Sequence, residues 1–144
     1  MGLMCNHKHK DSIVPEQKSG IGYKIVKRTD GLLIPCLGDR PYKESTDEWI
    51  EWNKAIAART INPAGHGFSP DQMEYGFCVL ADPDQAGKVF TKWILQGAGK
   101  LEIPLLQLIE VEYQDARWRH MEDYFIGGMP IDTLLVGRFR RCLT

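Results

Sequence analysis

Apolar positions along this 144-residue chain follow two periods, and the switches between them mark out the elements. The stretch 75–99 states its structure most plainly. Phe77-Cys78-Val79-Leu80-Ala81 is an unbroken apolar run, the pattern of a strand covered on both faces. Asp82 stands where a helix N-cap belongs and Pro83 at the first helical position, where a missing N–H costs nothing. Gln85 follows three residues after the cap, close to a capping box. Ala86, Val89, Phe90, Trp93 and Ile94 then recur at helical spacing on one face, and Gly97 and Gly99 end the helix.

Strand-like alternation appears on either side. Ile21 to Lys27 alternates, Thr29-Asp30-Gly31 reads as a hairpin turn, and Gly31 to Leu37 is the return strand. Pro35 places that strand at an edge or ends it, because proline lacks a ladder donor. Ser45 with Glu48 suits a capping box, and Trp49, Trp52 and Ile56 follow at helical spacing, which predicts a second helix with a core-facing aromatic stripe. Residues 60–75 carry Pro63, Gly65, Gly67 and Pro70 and read as a long loop, a common place for function. Leu105 to Tyr113 is a strong strand. The run DARWRHMEDYFIGG at 115–128 suits either a helix stopped by Gly127-Gly128 or an irregular lid. Ile131 to Leu143 is a final strand, with Gly137 as a possible bulge site.

This order predicts an α+β fold: a mostly antiparallel sheet with two to three helices packed on it. The chain length suits one domain, 21–144, behind a polar, flexible arm, 1–20. Hydrophobic content of 43% and charged content of 26% fit an ordinary globular chain, and a net charge of −1 argues against general nucleic-acid binding. No run of about 18 apolar residues offers a transmembrane helix. The opening MGLMCNHKHK has no apolar segment of the kind that leads secretion, so a cytoplasmic protein with reduced thiols is expected. Cys5, Cys36, Cys78 and Cys142 form no CxxC pair, and Cys78 within its apolar strand reads as a core residue.

Candidate chemistry is sparse. Glu110 and Glu112 share a strand face, where paired carboxylates can divide acid and base roles. Arg138 and Arg140 have the same spacing, so a cross-strand Glu/Arg ladder is the structural alternative. His66, between Gly65 and Gly67, is a loop histidine suited to acid–base work. Cys5, His7 and His9 alternate, and thiolate with imidazole suits zinc, although the spacing matches no common zinc motif and a disordered tail explains it as well. Arg117, Trp118, Arg119, His120 and Tyr124 mix cations with aromatics, a combination suited to an anionic ligand or a protein partner. The alternative is a helix with one apolar face. Gly-Ala-Gly-Lys at 97–100 lacks the spacing of a phosphate loop.

Gly22-Tyr23-Lys24-Ile25-Val26, then Gly76-Phe77-Cys78-Val79-Leu80 before a capped helix, then Glu110-Val111-Glu112, form a layout that resembles small uncharacterised domains of phages and mobile elements. Those carry a "GYKVF"-like strand and a "GFHxF"-like strand followed by a helix, and some are similar in outline to the ADP-ribosyltransferase fold. Cys78 stands where the pattern has histidine, so no catalytic residue carries over. The expectation is a non-enzymatic binding or inhibitory module, without cofactor, that recognises a protein partner or a small anionic ligand through the 60–75 loop and the 117–125 segment. The alternative is a small transferase or hydrolase using His66 with Glu110 or Glu112.

Overall fold

A computed structural model describes residues 8–29, 32–35, 42–43, 48–53, 75–95, 106–123 and 130–142. Its strands are β1 (Gly20–Thr29), β2 (Leu32–Pro35), β3 (Tyr42–Lys43), β4 (Ile50–Glu51), β5 (Phe77–Leu80), β6 (Leu106–Asp123) and β7 (Pro130–Arg141). The helix, α1, spans Pro83–Leu95. Every strand pairing is antiparallel. The predicted sheet is therefore present, but the described residues hold one helix rather than two or three.

The sheet curls until it meets itself. β1 pairs β6 along Gly20–Lys27, β6 pairs β7, β7 pairs β5, and β5 returns to β1 at Tyr23 and Leu80. Closure requires β1 and β5 to approach closely, and Gly22 permits it. A Cβ there would run into Val79 and reach within 3.2 Å of the Leu80 carbonyl oxygen. β2 continues from β1 and β4 from β7 beyond the ends of β5.

Two cores follow from the alternation. Phe77, Val79, Ile109, Val111, Tyr113, Leu134, Val136 and Phe139 fill the inside of the curled sheet with Trp52. Phe77 meets Trp52 and Phe139 edge-on, with centroids 5.2 and 5.0 Å apart. Lys24 also points inward. It is 5% exposed, donates from Nζ to the Cys78 carbonyl at 2.6 Å, and lies 5.0 Å from the Phe139 ring centre. The odd-numbered side of β1 and the alternate side of β5 form the second core. Ile25, Cys78, Leu80, Ile131 and Leu135 lie with Ala86 and Val89 of α1, flanked by Phe90 and Trp118. Each fully buried Val, Leu or Ile contributes about 1.5–3 kcal/mol here. Cys78 is a buried member of this layer, as its strand pattern predicts.

α1 starts as its sequence requires. Asp82 Oδ1 accepts the N–H groups of Asp84 (2.8 Å) and Gln85 (3.2 Å). Gln85 does not complete the box. Its Oε1 accepts the Asp132 N–H at 2.9 Å and its Nε2 donates to the Pro130 carbonyl at 3.4 Å, which ties the helix start to β7.

Two expected helices differ in the described residues. Glu48 is a bend, Ile50–Glu51 is β4, and helical backbone begins only at Trp52, so no helix runs through Trp49; the expected cap at Ser45 lies outside the described residues. The aromatic pair divides accordingly: Trp52 is fully buried and Trp49 half-buried. The 115–128 run is neither helix nor lid through Asp123. It extends β6, whose alternation is broken twice. Asp115 takes a left-handed φ of 58°, tolerated because its short polar chain bonds locally. Arg117 is an extra residue, since Ala116 pairs Val136 and Trp118 pairs Leu135. Opposite this corner lies Gly137, where a Cβ would collide with the Asp115 carboxylate.

Residues 8–19 lie along the far part of β6. Ile13 and Arg119 exchange two backbone bonds of 2.8 Å, and the Ala116 N–H donates to the Lys18 carbonyl at 2.9 Å. Lys8 sits 4.0 Å over the Trp118 ring. His9 stacks on His120 at 4.1 Å.

Candidate functional site

At one end of the curled sheet the inner face opens into a cleft of about 540 Å³. The arm supplies Pro15, Glu16 and Gln17, β1 supplies Gly20 and Ile21, and Ala81 closes the side toward α1. β6 contributes Tyr113 and Arg119, and β7 contributes Asp132 and Leu134.

Arg119 and Asp132 form the fixed part. Nε donates to Oδ1 at 2.8 Å and Nη2 to Oδ2 at 2.7 Å, a two-point fork. Asp132 is held in turn by its backbone, which accepts from the Ala81 N–H at 3.2 Å and donates to Gln85. The pair is uneven in exposure: the Arg119 side chain is 49% exposed and that of Asp132 16%. The guanidinium is thus committed to Asp132 through Nε and Nη2, while the side chain as a whole stays half-exposed at the cleft. The Asp132 hydrogen bond and charge, and more distantly Glu16, hold the Arg119 pKa above its ordinary value, so the cation is permanent.

Tyr113 is the second component. The residue is 5% exposed, with its ring in the inner core, and its hydroxyl lies 3.0 Å from the position a Gly20 Cβ would take. That hydroxyl makes no hydrogen bond to another described residue. Burial, then the charge of Asp132, raise its pKa, with Arg119 opposing, so it stays a neutral donor. The hydroxyl borders the cleft, where it is open to solvent and to a ligand.

The expected site residues do not gather here. Arg117 is a brace: Nε donates to Asp115 Oδ2 (3.0 Å), Nη1 to the Tyr75 carbonyl (2.7 Å) and Nη2 to Asn53 Oδ1 (3.1 Å). Trp118 packs on the helix-covered core, Arg119 faces the cleft, and His120 is buried against His9. The segment therefore presents no continuous cationic and aromatic patch over 117–120. Tyr124, His66, Cys5 and His7 lie outside the described residues. Among the described residues no group of three or more His, Cys, Asp or Glu side chains could hold a metal ion.

Glu112 and Arg140 pair across β6 and β7 at 3.0 Å, and Arg140 lies 4.5 Å from the Trp49 ring centre. The ladder is reduced to this one rung, because the register sets Arg138 opposite Gln114, whose Oε1 accepts from it at 2.7 Å, with Glu51 at 3.8 Å, and brings the Glu110 carbonyl to the Cys142 N–H at 3.0 Å. Cys142 lies near both glutamates, and burial and then their charges raise its thiol pKa.

No family model, curated protein or solved structure matches the chain. The cleft was not foreseeable from single positions. Tyr113 sits beside Glu112 in a strand whose glutamates draw the eye, and it points the other way. The one local signal is Asp132, an acidic residue inside the apolar run that opens the last strand. Its partner Arg119 emerges only once 115–123 is read as strand.

Proposed function

We propose that the chain is a non-enzymatic binding module and that its site is the cleft at the sheet end, which takes a small molecule bearing an oxyanion. One observation carries this reading: the Tyr113 hydroxyl, bonded to no described residue, borders the cleft beside a half-exposed guanidinium whose orientation Asp132 has already fixed. Two donors of this kind converge on an acceptor, and a pre-oriented guanidinium loses little freedom when it binds. Among the described residues the lining holds no Cys, Ser, His or Lys, and of its carboxylates Asp132 is spent on Arg119. A small ligand is favoured over a protein partner because Arg117 is consumed internally and Trp118 packs beneath α1.

The test is a thermal-shift and calorimetric screen of acetate, benzoate, inorganic phosphate and amino acids against the chain and its Tyr113→Phe variant. Binding of at least one class, weakened about tenfold by loss of one charge-assisted hydrogen bond, is expected. Absence of any binding, or binding that Tyr113→Phe leaves unchanged, overturns it.

A further inference from the structure

The charge and wall chemistry of the cleft narrow the ligand further, an inference that rests on the binding reading above. Among the described residues its lining carries two carboxylates, Glu16 and Asp132, and one guanidinium, Arg119. Asp132 is spent on Arg119, in a two-point bond. Glu16 makes no hydrogen bond to another described residue, is exposed on the arm, and lies close enough for its charge to act on Arg119. The cleft therefore has an excess of one negative charge, with the uncommitted carboxylate on the arm side and the half-exposed guanidinium on the β6 side. A phosphate dianion entering here adds like charge to like. A simple carboxylate satisfies Arg119 and Tyr113 but leaves Glu16 without a counter-charge. A ligand with its own cation next to its carboxylate satisfies all of them. The lining also includes Pro15, Ile21, Ala81 and Leu134, apolar residues that suit a hydrocarbon group.

We infer that the cleft binds a free α-amino acid with an apolar side chain, its carboxylate on Arg119 and Tyr113, its ammonium on Glu16, and its side chain against Pro15, Ala81 and Leu134. The arm is then part of the site: the bonds at Ile13 and Lys18 that lay it along β6 bring Glu16 to the ligand. The ammonium adds charge-assisted hydrogen bonds to a carboxylate, the stronger class of such bonds.

The experiment is calorimetric titration of the full chain with L-leucine, L-phenylalanine, 3-phenylpropionate, 2-phenylethylamine and inorganic phosphate. L-Leucine or L-phenylalanine is expected to bind about tenfold or more tightly than phenylpropionate, the worth of one charge-assisted hydrogen bond. Phenylethylamine and phosphate are expected to bind more weakly still. Glu16→Gln should abolish the advantage of L-phenylalanine over phenylpropionate with no change in melting temperature, because the arm residue is exposed. Tyr113→Phe should weaken every carboxylate. If phenylpropionate or phosphate binds as tightly as the amino acids, or if the advantage survives Glu16→Gln, the amino-acid inference is overturned. The cleft remains the binding site in that case provided Tyr113→Phe still weakens what binds. If neither amino acid binds, the inference is overturned outright, and if none of the probes used in either screen binds, the reading of the cleft falls with it.

Discussion

Replacing Tyr113 with phenylalanine separates a ligand-facing hydroxyl from a structural one by its effect on stability. The ring sits in the inner core and the residue is 5% exposed, so the substitution keeps the buried hydrocarbon surface. Only the hydroxyl is removed, and it bonds no described residue. A tyrosine hydroxyl that holds a fold together loses about 0.5–1.5 kcal/mol when deleted. One that is buried without a partner imposes a desolvation cost of about 1–3 kcal/mol, and deletion relieves it. Because this hydroxyl borders the open cleft, solvent satisfies it in the free protein, and the expected change is within about 0.5 kcal/mol. For a chain of this size that moves the melting temperature by less than about 2 °C. Urea unfolding of both proteins, with an unchanged m value, measures it directly. The difference should also grow at alkaline pH. The folded phenol has a pKa above its ordinary 10.0, so its contribution to wild-type stability is complete below pH 10 and is lost as pH rises through the folded value. The variant has no such loss. A fall in stability of more than about 0.5 kcal/mol on substitution refutes the reasoning, because it means that the hydroxyl is bonded in the free protein.

Other expectations follow from the same geometry. Gly76→Ala puts a Cβ within 2.6–2.9 Å of the Val136 backbone, where no side chain can swing aside, and should cost at least about 2 kcal/mol in chemical unfolding. Phe139→Ala removes a fully buried ring that faces Phe77 and Lys24, and a loss of about 3–5 kcal/mol is expected by the same measurement. The Glu112–Arg140 pair is about one-third exposed on each side, so a double-mutant cycle should return a coupling below about 1 kcal/mol.

Legibility tracked how local each cause was. The β5–α1 unit was readable because its determinants are neighbours in sequence: an apolar run, Asp82, Pro83 and a helical face. The sheet was readable as antiparallel because β1 and β2 alternate around Asp30-Gly31. Trp49 and Trp52 misled because their spacing fits a helix face, while the backbone between them is the short β4 paired to Phe139 and Arg138. The misread 115–123 segment has the same origin. Two breaks of alternation, at Asp115 and Arg117, disguise a strand as an irregular charged run, and both are answered on another strand, at Gly137 and Leu135. The cleft was invisible because Arg119, Asp132 and Tyr113 meet only through that pairing. Glu112–Arg140 was legible because equal spacing on two strands needs only register.

Pairing with β7, with Arg117 as the residue left over, decides which side chain of β6 reaches the cleft, and this can be tested apart from the Arg117 side chain. Tyr113 points inward, the corner at Asp115 turns Ala116 inward as well, and simple alternation from Ala116 would send residue 117 out, 118 in and 119 out. The inserted residue reverses that order. Trp118 packs under α1, and Arg119 returns to the inner face beside Tyr113. Deleting Arg117 while keeping the pairing with β7 makes Trp118 follow Ala116 directly, and plain alternation then leaves the indole on the helix-covered side and the guanidinium on the inner face, as they are now. What the deletion loses is the Arg117 side chain with its bonds, those to Asp115, Tyr75 and Asn53 among them, about 1–4 kcal/mol in all. Arg117→Ala keeps the residue count and loses the same side-chain bonds. Urea unfolding of the two variants should thus agree within about 1 kcal/mol, with an unchanged tryptophan environment in near-ultraviolet dichroism. If the deletion is the more damaging by more than about 3 kcal/mol and changes the dichroism, a misplaced tryptophan is the cause, and pairing with β7 does not set the faces of β6.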